Sequence, residues 1–200
     1  PRISRAVLNV GGGTAVDVFT TSPAFAPSTN ALLASLGILP GANSAYLQFL
    51  VVAKMILDPA DPVNFAGHLQ VNTLPNLLPP LGGNPDGSVP QAAKSILTQA
   101  AFCDQTVPNP WNYILDSTAG TGPFPGQGGF GGPGTFQLFF TGTPSPSALQ
   151  SCPTPTSTSP NAIPHGFFTN WTAATVQAQT DAALFLVDPV ANKPPSLRTF

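Results

Sequence analysis

Few side chains in this 200-residue chain can do chemistry near neutral pH: two histidines, eight aspartates and two cysteines, with no glutamate. Only His68 and His165 titrate in that range without perturbation. His68 stands in Asn64-Phe65-Ala66-Gly67-His68-Leu69, with Asp61 as its nearest acidic neighbour in sequence, and reads as a structural or lid histidine. His165 is held between Pro164 and Gly166 and followed by Phe167 and Phe168, which can pack beneath it. A loop histidine of this kind, arriving after a strand, belongs at the carboxyl edge of a sheet, where open α/β folds place their ligands. The plainer alternative is a surface loop histidine.

Most of the aspartates have structural explanations. Asp58 and Asp61 stand beside prolines, Asp86 lies in Asn-Pro-Asp-Gly, Asp188 precedes a proline, and Asp116 and Asp181 fall on predicted helices. Asp17 is unsettled. Asp104 alone follows a buried apolar strand directly and precedes a Val-Pro turn. A carboxylate placed there can accept the Nδ1 proton of a histidine delivered by the next strand, fixing its tautomer and stabilising its charged form. Two histidines 97 residues apart, without clustered carboxylates or thiols, give no metal-ligand spacing. Gly11-Gly12-Gly13 lacks both the Gly-Lys-Ser/Thr tail and the Gly-x-Gly-x-x-Gly spacing of a phosphate loop, so no cofactor is implied.

These loops need elements to carry them. Ile3 to Val10 predicts a strand stopped by the glycine cluster, Lys94 to Ala101 a buried strand, and Thr135 to Thr141 a third. Between the first two, residues 14–92 read as helical pieces punctuated by prolines. Asn30 to Leu36 has Asn30 as a cap candidate and ends at Gly37, and Ala45 to Leu57 is a second helix closed by Asp58-Pro59. Leu74 to Pro90 can hold little regular structure, Trp111 to Leu115 reads as helix, and a final amphipathic helix from Thr172 to Val187 carries Val176, Ala183, Leu184 and Leu186. Strands alternating with helices predict a parallel sheet covered on both faces. Three strands are few for such a sheet, so further strands are expected from sequence beyond these residues.

Composition narrows the class. Six Lys and Arg are scattered, the net charge is -2, and nucleic-acid binding is excluded because phosphate neutralisation needs clustered cations. With 25 Pro and 19 Gly the chain approaches low-complexity composition, but 42% hydrophobic residues and 14 Phe supply a core. The apolar run Tyr46 to Leu57 is too short to span a bilayer and reads as a buried helix. The two cysteines permit one intrachain pairing, Cys103–Cys152. The neutral loops favour a secreted, cell-surface or periplasmic location with that disulfide formed, the alternative being two buried thiols.

Ala101-Phe102-Cys103-Asp104-Gln105-Thr106-Val107-Pro108-Asn109 resembles the acid loop of α/β hydrolases, and Pro164-His165-Gly166-Phe167 resembles their histidine loop, in the same chain order. Ile3 to Gly13 is similar to the strand after the nucleophile helix, and residues 14–92 fall where lipases and esterases of that fold insert a cap or lid. In more detail the whole chain looks like the C-terminal half of large bacterial secreted lipases of the virulence-factor-type group. The resemblance implies the C-terminal part of an α/β-hydrolase fold, spanning residues 1–200, with Asp104 and His165 as the acid and base of a Ser-Asp-His triad. It implies a lipid, ester or polyester substrate. No Gly-x-Ser-x-Gly pentapeptide occurs here, so the nucleophilic serine and the N-terminal strands are expected on an upstream segment of the same precursor. Against this stands a non-catalytic, Pro-rich secreted binding or structural module in which the two residues are incidental.

Overall fold

The computed structural model describes residues 3–70, 72–77, 79–121, 135–143, 159–195 and 197–200. Four strands, β1 (Arg5–Asn9), β2 (Ser95–Ala101), β3 (Thr135–Phe140) and β4 (Leu197–Thr199), form one sheet in chain order, every neighbouring pair parallel. The parallel α/β organisation expected from the alternation of strands and helices is present. The fourth strand is an addition: only three residues long, it carries too little pattern to register as a strand and is held by its pairing with β3.

Alternation along β2 and β3 sorts the core into two layers. Ala100 of β2 with Phe136, Leu138 and Phe140 of β3 packs with Phe102, Cys103 and Tyr113, the last on helix α5 (Asn109–Ala119). On the opposite face Ala101 and Phe139 pack with Ile163, Phe167, Ala174 and Ala178, the last two on helix α6 (Ala173–Val187). Pro110 near the first turn of α5 has no N–H to leave orphaned, and Gly120, in the left-handed region, closes the helix. Thr172 and Thr175 form a reciprocal cap at the start of α6. Arg5 of β1 donates to the carbonyls of Leu186 and Val187, satisfying the other end of that helix.

Through the layer beneath α6 runs a row of amides. Asn9, Gln99 and Gln137 are register partners on β1, β2 and β3. Asn9 Nδ2 donates to Gln99 Oε1 at 3.1 Å, Gln99 Nε2 donates to Gln137 Oε1 and to the Ala178 carbonyl, each at 3.0 Å, and Gln137 Nε2 donates to Asp181 on α6. Gln177 Nε2 holds the other Asp181 oxygen at 2.8 Å. Buried amides of this kind are tolerated because their polar atoms are paired.

The glycine cluster after β1 is a close-packed turn, as its composition predicts. None of the three needs a left-handed φ; their requirement is steric. A Cβ on Gly12 would lie 2.5 Å from Val107 Cγ1, and one on Gly13 would lie 2.9 Å from Val63 Cβ.

Between β1 and β2 the chain is helical: α1 (Ala15–Thr21), α2 (Ala26–Ser35), α3 (Ser44–Leu57) and α4 (Pro62–Ala66), with short 3-10 turns at Asp58–Ala60 and Pro79–Leu81. Ala66 of α4 packs with Leu115 and Ala119 of α5, and Lys54 of α3 pairs with Asp17 of α1 at 2.7 Å, which settles Asp17. Asp61 accepts from the N–H groups of Thr14, Ala15 and Val63, capping α1 and α4 together.

Three helix expectations are corrected. Helix α2 starts at Ala26, so Asn30 lies inside it and caps nothing. Helix α3 has no buried residue: Tyr46, Phe49, Leu50 and Ala53 are half-buried, while Leu47, Val51, Val52, Met55 and Ile56 face out, so the buried helix read from its continuous apolar run is overturned. On α6 the residues taken as the apolar face, Val176, Ala183, Leu184 and Leu186, are exposed. The buried face is Ala174, Ala178, Ala182 and Phe185, and its three alanines let the helix lie close to the strands.

Candidate functional site

Asp104 and His165 meet at the carboxyl ends of β2 and β3. His165 Nδ1 lies 2.7 Å from Asp104 Oδ2, with the Asp104 side chain fully buried and the His165 side chain one-third exposed. The other carboxylate oxygen, Oδ1, accepts from the N–H of Thr106 at 2.7 Å and of Val107 at 3.1 Å. Burial pushes the Asp104 carboxyl above the ordinary carboxylate range, outweighing the opposing hydrogen bond from His165, the Thr106 and Val107 amides and the histidine's charge. With Asp104 ionised, all its contacts are acceptor contacts, so Nδ1 must carry the imidazole proton and Nε2 is left as the lone-pair nitrogen.

The acid loop is shaped by backbone and amide groups. Phe102 N–H continues the ladder onto the Phe139 carbonyl at 2.9 Å. Cys103 then takes a left-handed conformation, φ 55°, which turns Asp104 off the line of the strand. Asn109, fully buried, holds that turn: its Oδ1 accepts from Cys103 N–H at 2.7 Å, and its Nδ2 donates to the Ala101 carbonyl at 2.7 Å and to Asn112 Oδ1 at 3.0 Å. Asn112 Nδ2 reaches the Gly11 carbonyl at 2.8 Å, joining the acid loop to the turn after β1.

The histidine loop is fixed from both sides. Ile163 N–H donates to the Phe102 carbonyl at 3.1 Å, pinning this segment beside the acid loop. His165–Phe168 form a short 3-10 segment kinked at Gly166. Phe167 is buried with its ring centroid 4.8 Å from that of Phe139, and the Phe167 carbonyl accepts from Thr175 Oγ1 at the start of α6. One of the two phenylalanines expected to pack beneath the histidine loop is thus fully buried; Phe168 is partly buried at the margin of the same cluster.

Among the described residues, one apolar hollow borders the histidine loop and another the glycine turn after β1. The first, of about 220 Å³, is bordered by Thr141, Ile163, Pro164, Phe167 and Asn170. The second, of about 330 Å³, lies between the glycine turn and Phe65, Leu69 and Leu115.

No protein-family model, curated protein or solved structure matches this chain.

His68 is not part of the pair; its Nδ1 closes a local turn onto the Asn72 carbonyl. Cys103 is adjacent to Asp104, and no free thiol occurs among the described residues. Cys152, its expected partner, lies outside the described residues. Sequence reasoning missed Asn109, Asn112 and Ser22, which act on backbone groups. It also treated Asp116 as an ordinary helix residue, although it is buried with one carboxyl oxygen lacking a partner, and burial drives its carboxyl well above the ordinary range.

Proposed function

We propose that this chain supplies the acid and the histidine of a serine carboxylester hydrolase of α/β-hydrolase type, acting on lipid, ester or polyester substrates outside the cell. The observation that carries the reading is the 2.7 Å contact between a fully buried carboxylate and a part-exposed histidine at neighbouring strand ends. In this reading Nε2 of His165 takes the proton from a serine hydroxyl as that oxygen attacks the ester carbonyl. It then returns the proton to the departing alcohol and repeats the cycle with water on the acyl-enzyme. Asp104 keeps the imidazole in the required tautomer and stabilises the imidazolium formed at each step. The serine comes from an upstream segment of the same precursor. The half-exposed residues of β1, at the edge of the sheet, suit a strand from that segment. The outward apolar side chains of α3 suit an apolar substrate.

In the complete precursor, Asp104→Asn and His165→Ala are each expected to lower ester turnover by about 10³- to 10⁴-fold while leaving the circular-dichroism spectrum unchanged. Near-normal hydrolysis of a p-nitrophenyl ester by either variant would overturn the assignment and favour a binding module.

A further inference from the structure

The helical insertion touches the acid loop at Ser22, a residue with no role in the reading above. Ser22 ends α1 and is completely buried. Its Oγ lies 2.9 Å from the Gln105 carbonyl oxygen and 2.7 Å from that of Thr106, and it accepts from Ala24 N–H at 3.2 Å. Ala24 N–H also donates to the Gln105 carbonyl at 3.0 Å. These two carbonyls belong to two particular peptide units. The Gln105 carbonyl shares a plane with the Thr106 N–H, and the Thr106 carbonyl shares one with the Val107 N–H. Those are the two N–H groups that hold Asp104 Oδ1. The one Ser22 hydroxyl proton is thus shared between the carbonyl ends of the two peptides whose amide ends hold the carboxylate. From the other side, the bare face of Gly12 leaves room for Val107, and Trp111 Nε1 donates to Thr21 Oγ1 at 3.0 Å.

We propose that Ser22 is a positioning residue for Asp104, orienting the Thr106 and Val107 peptides so that the carboxylate stays on His165 Nδ1, and that the pair's alignment depends on the folded insertion through this hydroxyl. The proposal deepens the hydrolase reading and rests on it for its catalytic meaning, but the alignment can be read without any ester turnover.

The readout is the imidazole nitrogen spectrum of His165, which separates the Nδ1–H from the Nε2–H tautomer, recorded on the full-length protein. Ser22→Ala is expected to lower the ratio of Nδ1–H to Nε2–H by about 3- to 10-fold, the factor that one net hydrogen bond is worth. Asp104→Asn is expected to lower it at least as far. Thr20→Val is the control, since it removes a buried hydroxyl of the same helix that bonds only within that helix, and should leave the ratio within about twofold. An unchanged ratio in Ser22→Ala beside a changed one in Asp104→Asn would overturn the role of Ser22 and leave the hydrolase reading standing. An unchanged ratio in both would overturn the two together. Should Ser22→Ala fail to fold, hydrogen exchange in the unaltered chain decides: Ala24, Thr106 and Val107 amides are expected to be protected to within about tenfold of one another, as one opening unit. Thr106 exchanging like a free surface amide while Ala24 stays protected would overturn the proposal.

Discussion

Asp104 and Asp116 are both buried carboxyls, and the difference between them is in their partners. Asp104 has three donors on its two oxygens, whereas Asp116 keeps one oxygen unpaired. Burial raises the Asp116 carboxyl well above the ordinary range, so the folded chain holds that proton more tightly than the unfolded chain does. The resulting stabilisation is complete below the ordinary carboxylate range and is lost as pH rises through the raised folded value. A urea-denaturation series from about pH 4 upward should show the midpoint falling with pH, and Asp116→Asn should flatten that fall and raise the midpoint at neutral pH. A lower midpoint for the variant at pH 7 would mean that the ionised carboxylate is held by the fold. Gly12→Ala is expected to cost about 1–3 kcal/mol, because the new methyl would overlap Val107 Cγ1 and force the acid loop outward; thermal unfolding checks it. Asp104 was legible in the sequence because it comes just after a buried apolar strand and ahead of a Val-Pro turn, and His165 because Pro164 and Gly166 flank it ahead of two phenylalanines. Ser22, Asn109 and Asp61 were not, because their partners are peptide groups that only the folded backbone brings near.

At the scale of elements, strands were easier to read than helix faces. β1, β2 and β3 fall within a residue or two of their expected ends, since a short apolar run bounded by glycine or proline has few other uses. Helix α6 was read with its faces exchanged: large apolar side chains were taken as the inner face, but the sheet accepts Ala174, Ala178 and Ala182. The two arrangements differ in a measurable way. Ala178→Leu should cost about 1–3 kcal/mol by overfilling the space against Gln99 and Ala101. Leu184→Ser, at an exposed position, should change stability by less than about 0.5 kcal/mol. Chemical denaturation of the two variants suffices, and the opposite ranking would restore the reading from sequence. For α3 the hydropathy was read correctly and its burial was not, because a helix apolar on all sides reports nothing about which neighbours cover it.

At the scale of the whole molecule, 14 charged residues in 200 leave little long-range electrostatics, so folding should respond weakly to salt and strongly to the covalent and apolar framework. The expected Cys103–Cys152 link belongs here, as it would tie the acid loop to the approach of the histidine loop. Titration of the denatured, unreduced chain with a thiol reagent should find no reactive cysteine, and reduction should lower stability by about 3–4 kcal/mol in the chain-entropy picture; two reactive thiols before reduction would remove the link. The amide row from Asn9 through Gln99 and Gln137 to Asp181 bears on the same alignment from within the sheet. Strands of repeating aliphatic residues can slide by two positions and still present the same face, and such a slide displaces a strand end by about 7 Å. Asn9, Gln99 and Gln137 are bonded in register, and Gln99 and Gln137 are also held by α6, so a slide of one strand breaks these bonds and strips polar side-chain atoms of those partners. The sheet thus carries its own length gauge, set in its interior, and what it measures out is how far along their strands the acid and the histidine emerge.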